Sequence, residues 1–319
     1  MSASHGASHD ALWTIGELAE RAGVTVKSVR FYSDGGLLPE AARSGGGHRR
    51  YAPEALERLR LIRSLRALDL PLPEVRRVLE AGDAADRVLE DAVAGRLRAV
   101  GDELRALRWR EAALRLVREC PPAELAGRLR LIGALDTPPS TAPLARFWRA
   151  WLPARMPAPA AAAFLDVAVP QPPDEPEPAQ VLAFARLHAM TTAPCPVGRQ
   201  PQPEVHRVTG ADGAARLYAG LAEAYEIAGP QVRRAREPHP GEALDAYVAA
   251  YASAYGGRDT RQFRRLLAAR LAAEPRLTRY WELTAVVRTA PGSAPEPTPG
   301  HADDWLRAAL ERDNAGRGA

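Results

Sequence analysis

Along the first 82 residues the apolar positions recur at helical spacing in short bursts. In "TIGELAERAGV", Ile15, Leu18 and Ala19 share a face, Thr14 stands at the N-cap and Glu17 lies three residues later. This is a capping box, in which the first turn satisfies its own orphan donors, and it predicts a short helix that Gly23 ends. "TVKSVRFYSDGG" begins again on Thr25, with Val26, Val29 and Tyr32 on one side and Lys27, Ser28 and Arg30 on the other. Two short helices joined by a glycine turn fit a helix-turn-helix or an ordinary αα-hairpin. The loop-rich "GGLLPEAARSGGGHRRYAPE" follows as a hairpin. Pro53 and Glu54 then open a helix with Leu56, Leu59, Ile62 and Leu65 at helical spacing, and Pro73 and Glu74 open another that ends near Gly82.

Residues 84 to 118 form one long pattern without proline. Val93, Leu97, Val100, Leu104, Leu107 and Leu114 alternate steps of three and four, with a polar gap at Glu111. The heptad period fits one helix of an intramolecular bundle, and fits more economically the seam of a dimeric coiled coil. "CPP" at 120 to 122 stops it. Beyond it, short amphipathic stretches at 143–152, 178–190, 212–228, 241–255, 259–273, 275–288 and 302–312 alternate with proline-rich connectors such as "PQPPDEPEP". Strand alternation is absent, save for a hint at "EVHRVTG". The expected fold class is mainly all-α. The expected organisation is a disordered tail at 1–11, a domain of short helices and a hairpin at 12–82, a long coiled-coil helix at 83–120 and a helical domain at 135–319.

Composition narrows this picture only a little. The chain has 319 residues, which is long for one module, with 46% hydrophobic and 26% charged residues. A net charge of +4 permits a nucleic-acid partner without demanding one. Lys27 is the only lysine, and the arginine excess fits GC-rich codon usage rather than DNA binding. Cys120 and Cys195 make no disulfide framework and no soft-metal or iron–sulfur cluster, so neither metal nor cofactor is expected; Cys120 reads as a buried small apolar residue. No run is apolar enough for a membrane span, and the N-terminus lacks a signal-peptide pattern, so a soluble cytoplasmic protein is expected.

The glycine run of "SGGGHRRYAPE" raises the question of phosphate. A P-loop needs lysine and a hydroxyl residue after its glycines, following a buried strand; here His48, Arg49 and Arg50 follow and no strand precedes. The other phosphate is that of DNA. Lys27, Ser28 and Arg30 suit a recognition helix, while Arg49, Arg50 and Tyr51 suit a hairpin that grips the backbone.

These residues together carry a resemblance. The set "TIGELA", "VTVKSVRFY", "GLL", "RRY" and "LERLRLI", within residues 12 to 80, closely resembles the N-terminal domain of MerR-family transcription regulators. The resemblance implies a winged helix-turn-helix followed by a long antiparallel dimerisation helix. It implies a DNA surface of Thr14, Thr25, Val26, Lys27, Ser28, Arg30 and Tyr32, with Arg43, His48, Arg49, Arg50 and Tyr51 forming the wing. Ser33 departs from the acidic residues usual in this family. The partners implied are double-stranded promoter DNA, a second copy of the chain, and RNA polymerase indirectly, through effector-dependent distortion of the promoter. An effector shifts such an equilibrium only if it binds one state better.

The remaining 200 residues are rich in aromatics. Tyr247, Tyr251 and Tyr255 step by four along one face, and Trp148, Trp151, Tyr280 and Trp281 cluster in two stretches. Singly they fit core packing; as a set they fit an apolar pocket with Glu282, Arg279 and His188 as polar handles. This region, through "DTRQFRRLLAARLAAEPRLTRYWEL", resembles the helical drug-recognition domains of some actinomycete MerR-like regulators, including thiopeptide and albicidin binders. No nucleophile–base constellation points to an enzyme. The expected function is a homodimeric regulator with a small organic effector. The alternatives are a drug-sequestering protein with secondary autoregulation, and a DNA-binding regulator without an effector.

Overall fold

A computed structural model describes residues 12–192, 203–274 and 277–316; the tail at 1–11, expected to be disordered, and Cys195 lie outside the described residues. The chain divides into two compact units, Met1–Glu103 and Leu104–Ala319.

The first unit begins with β1 (Trp13–Thr14), α1 (Ile15–Ala22) and α2 (Val26–Asp34). The capping box forms as the sequence predicts. Glu17 N–H donates to Thr14 Oγ1 at 3.2 Å and Thr14 N–H to the Glu17 carboxylate at 2.7 Å, while Gly23 closes the helix with a left-handed φ of 62°. Thr25 caps α2 in the same way, accepting from Ser28 N–H. Replacing Thr14 with Ala is expected to destabilise α1 by about 1 kcal/mol. Faster amide exchange at Leu18 and Ala19 checks this; an unchanged rate overturns it.

A hairpin of β2 (Ala42–Arg43) and β3 (Arg49–Tyr51) follows, and β3 is the centre of a three-stranded antiparallel sheet ordered β1-β3-β2. Helices α3 (Glu54–Ala67) and α4 (Leu72–Glu80) complete the unit, with the first turns of α5 (Ala85–Arg118). Leu18, Val29, Leu38, Tyr51 and Leu59 form one buried cluster, and Leu37, Ile62, Leu65, Val75 and Ala92 a second.

Several arginines of this unit are used to hold its backbone. Arg58 Nε donates to the Leu37 carbonyl, Arg63 to that of Ala22 at the end of α1, Arg66 to Leu70 and Arg76 to Gly35. Each guanidinium satisfies a carbonyl that a helix end or turn leaves without a partner.

The second unit holds the rest of α5, then α6 (Pro122–Gly133), α7 (Ala142–Trp151), α8 (Ala158–Ala168), α9 (Pro178–Thr192), α10 (Glu204–Arg233), α11 (Glu242–Ala254), α12 (Arg261–Ala273), α13 (Thr278–Arg288) and α14 (Pro299–Gly316). Two helices here were not expected, α6 and α8. Both open on a proline at N1 or N2, where its fixed φ favours a helix start, so stretches that look like connectors begin helices. The hint of a strand at "EVHRVTG" is also corrected: residues 204–209 are helical, and the helix breaks at Gly210, with φ 68° and ψ −167°.

Trp109, Ala112 and Leu116 of α5 pack with Leu144, Trp148, Phe184 and Tyr280 in one core. Leu217, Leu244, Tyr247, Leu267 and Leu306 belong to the other. Helices α10 and α11 approach closely because Gly220 has no side chain; a Cβ there would sit 2.7 Å from that of Ala250. Cys120, expected buried, is half-exposed because it stands at the turn after α5. No helix among the described residues is long and apolar enough to cross a membrane.

Candidate functional site

Two places gather the residues singled out in the sequence. The first is the surface of α2 and the hairpin. Lys27 and Arg30 lie exposed on α2, and no hydrogen bond or ion pair engages either side chain among the described residues. Val26 is exposed beside them, and Tyr32 is half-buried. Thr14, Thr25 and Ser28 spend hydroxyl contacts on capping, with Thr25 Oγ1 2.9 Å from Ser28 Oγ. The hairpin turns through Ser44–His48, where Gly47 adopts a left-handed φ of 79° and His48 stands exposed.

The three hairpin residues expected to grip phosphate together are divided by the alternation of β3. Successive side chains of a strand point to opposite faces. Arg49 and Tyr51 therefore face α2: Arg49 Nη1 pairs with Asp34, Arg49 Nε lies 3.1 Å from Glu40, and Tyr51 donates to Ser33 Oγ at 3.1 Å. The Asp34 hydrogen bond is the main reason the Arg49 guanidinium holds its proton more tightly than usual. Tyr51 is fully buried, so its expected contact with the DNA backbone is corrected to a place in the core. Ser33, the departure in the sequence, receives that hydrogen bond. Arg43 shares Glu40 at 2.8 Å. Arg50, half-buried on the other face, pairs across the sheet with Thr14, and its charge helps hold the Glu17 carboxyl below the usual range after the bonds to Thr14.

The second place is a cavity of about 370 Å³ in the second unit. Of the aromatics singled out, Trp148, Trp151, Tyr251 and Trp281 line it. Four other expected residues do not. Tyr247 lies in the core, where its hydroxyl donates to Asp303 at 2.8 Å, and Tyr280 is buried and donates to the Ala168 carbonyl at 2.7 Å. Tyr255 lies under the Arg270 guanidinium, and Glu282 pairs on the surface with Arg279. His188 is likewise outside the lining.

Sequence reasoning missed several lining residues: Phe164, His206, Glu274, Asp303, Asp304 and Arg307. Phe164 stacks edge-on against both Trp148 and Tyr218, 5.2 and 4.7 Å between ring centroids. His206 Nε2 lies 2.8 Å from the Tyr218 hydroxyl. Burial lowers the His206 pKa to about 4, opposed by the Trp151 backbone carbonyl, so the ring is neutral at physiological pH. Burial likewise raises the Tyr218, Tyr225 and Tyr251 hydroxyls. At the polar end Arg307 Nε donates to Asp303 at 2.6 Å, and Tyr225 donates to the same carboxylate at 3.1 Å. Burial raises the Glu274 pKa; Arg307 opposes the rise and Asp303 adds to it. Among the described residues no cluster of three metal-ligating side chains occurs.

Comparisons with known proteins concern the first place. Residues 13–82 match the family described as MerR HTH family regulatory protein. The nodulation protein NolA of Bradyrhizobium elkanii is 47% identical over 68 residues, 21% of this chain and 31% of that protein. The HTH-type transcriptional activator TipA of Streptomyces coelicolor is 44% identical over 68 residues, 21% of this chain and 27% of that protein. The HTH-type transcriptional regulator ZntR homolog of Haemophilus influenzae is 38% identical over 77 residues, 24% of this chain and 57% of that protein. The chain thus spans about a third of the length of the NolA it matches.

Proposed function

We propose that this chain, whose N-terminal unit carries a MerR-type helix-turn-helix domain, is a homodimeric transcription regulator that binds promoter DNA and answers to a small organic molecule held in its C-terminal unit. The observation that carries the reading is the pair Lys27 and Arg30, exposed on α2 of the matched domain with no ion pair to either among the described residues. Helix α2 enters the major groove with Lys27, Ser28 and Arg30 toward the base edges, and Arg50 and His48 hold phosphate beside it. Arg49 braces the hairpin against α2 and sets its angle. The exposed leucines of α5 join two copies, so the dimer reads two half-sites. The cavity ligand favours one state of the dimer, and RNA polymerase senses the resulting DNA shape rather than the protein. The protein performs no chemistry of its own, and it acts in the cytoplasm on the nucleoid.

The test is binding to a duplex selected by the protein from a random pool, measured across a range of salt. Replacing Arg50 with Ala is expected to weaken binding to selected and unrelated duplexes alike and to reduce the slope of log K against log salt by about one. An unchanged slope removes Arg50 from the interface. Replacing Arg49 and Arg50 together should flatten the slope no further than Arg50→Ala does if Arg49 acts as a brace, while lowering affinity more. No binding of the unaltered chain to any duplex would sink the whole reading.

A further inference from the structure

Helix α2 carries an apolar side chain on its outermost line. Val29 is fully buried and holds the inner side of the helix against the core. A helix turns by about 100° per residue, so side chains two residues away in either direction stand almost opposite. Lys27 and Phe31 are those two residues, one turn apart on the same outer line. Arg30 stands beside them, and neither Lys27 nor Arg30 has an ion pair among the described residues. Asp34, one turn after Arg30, is turned to Arg49, so this face of the helix stays cationic around the ring.

Phe31 is 57% exposed. A single exposed apolar residue needs no explanation on an ordinary surface. This one differs in its place and in its support. The Tyr32 ring stands edge-on to it, 5.4 Å between centroids and 66° between planes. Tyr32 in turn packs against both apolar clusters of the first unit, so the phenyl rests on a firm base. The ring has no polar atom. It can neither donate to a phosphate nor neutralise one and release its counterion. What it can do in a major groove is bury an apolar group of a base, and thymine alone presents a methyl group there.

We propose that Phe31 is a specificity-determining residue that reads the C5-methyl group of one thymine in each half-site. This rests on the reading of α2 as the helix that enters the major groove, and it adds the base and the atom that one side chain recognises. Lys27 and Arg30 supply attraction on either side of the ring, and the ring supplies the preference. Burying one methyl group against it is worth about fourfold in affinity. Cytosine in the same place lacks the methyl and brings an amino donor against a ring that cannot accept from it in the groove plane, which costs further affinity.

Uracil isolates the methyl group, because it pairs with adenine as thymine does and differs by that group alone. The full chain is titrated with a duplex it has selected from a random pool, and with copies in which each thymine in turn, in one or both half-sites, is replaced by uracil. One position is expected to weaken binding by about fourfold for each half-site changed. In Phe31→Ala, thymine and uracil at that position should bind alike, and the slope of log K against log salt should stay as in the parent, since no phosphate contact is lost. Phe31→Leu should keep part of the discrimination. Thermal melting of both variants should match the parent's, because the side chain stands mostly in water. Parent affinity for every uracil copy, or a uracil penalty as large in Phe31→Ala as in the parent, overturns the methyl assignment while leaving α2 on DNA. A slope lowered by Phe31→Ala overturns it too, because the ring would then act by placing phosphate contacts. No binding of the unaltered chain to any duplex removes the DNA reading and this inference with it.

Discussion

Replacing Arg264 with Ala is expected to destabilise the second unit by about 3–5 kcal/mol. The Arg264 side chain is 8% exposed and its guanidinium binds three carboxylates from different elements. Nη1 donates to Asp313 of α14 at 3.0 Å, Nη2 to Asp245 of α11 at 2.6 Å, and Nε to Asp259 before α12 at 2.8 Å. The Asp259 hydrogen bond raises the arginine pKa most; burial opposes it, and Asp245 and Asp313 add to it. Asp313 is 3% exposed, so deleting the guanidinium removes a hydrogen-bonded cation from a buried carboxylate, the change that makes a broken buried pair costly. The thermal transition of this unit should fall by roughly 6–20 °C. Lysine at 264 should restore little, since one ammonium cannot replace a planar fork. Asp245→Asn, at an exposed position, should cost less than about 1 kcal/mol. A melting point for Arg264→Ala equal to the parent's would overturn the argument. Because α14 also carries Asp303, Asp304 and Arg307, loosening its Asp313 end should weaken ligand binding as well.

The second large effect is expected on α5. Leu97, Leu104, Leu107 and Leu114 are 68%, 47%, 56% and 70% exposed, while Trp109, Ala112 and Leu116 of the same helix are buried. A helix whose one stripe packs inward has no intramolecular use for a second apolar stripe at heptad spacing. Burying each leucine against a second copy contributes on the order of 1.5–3 kcal/mol. Leu97→Glu with Leu104→Glu removes two per chain and places like charges in the seam. Dimer dissociation should rise by at least about a thousandfold. Light scattering at micromolar concentration should then give the mass of one chain, and affinity for a duplex with two half-sites should fall with it. A dimeric double variant would exclude this stripe from the interface.

How far the sequence discloses the molecule depends on how far apart the cooperating residues lie. The capping box at Thr14 and the N-cap at Thr25 join residues three apart, and both are legible. The helix α5 is legible because no proline interrupts its 34 residues and apolar positions recur along it. Tyr51 and Arg49 are legible as members of the hairpin, but their partners Ser33 and Asp34 lie on another element, so the face each side chain takes is not. The cavity is the extreme case. Tyr247, Tyr251 and Tyr255 share a helix face, yet Tyr251 alone of the three lines the space, because Asp303 draws the Tyr247 hydroxyl into the core and Arg270 covers Tyr255. His206 hides in a stretch that alternates like a strand, and Phe164 in an alanine-rich stretch between prolines. Gly300 carries no local signal; its role exists only where Trp281 crosses it.

The internal use of arginine has a consequence for the search along the chromosome. Arg58, Arg63, Arg66 and Arg76 have their forks turned to carbonyls, and Arg43 and Arg49 are held by acids, so these six are less available to displace counterions from a duplex than their number suggests. Residence on random DNA grows steeply with the number of ions released at each encounter. A protein that releases few leaves the wrong sites quickly, and the share of copies idling on them stays small. On the proposed mode of binding, occupancy of the right site is expected to depend on base contacts of α2 rather than on how many molecules the cell makes.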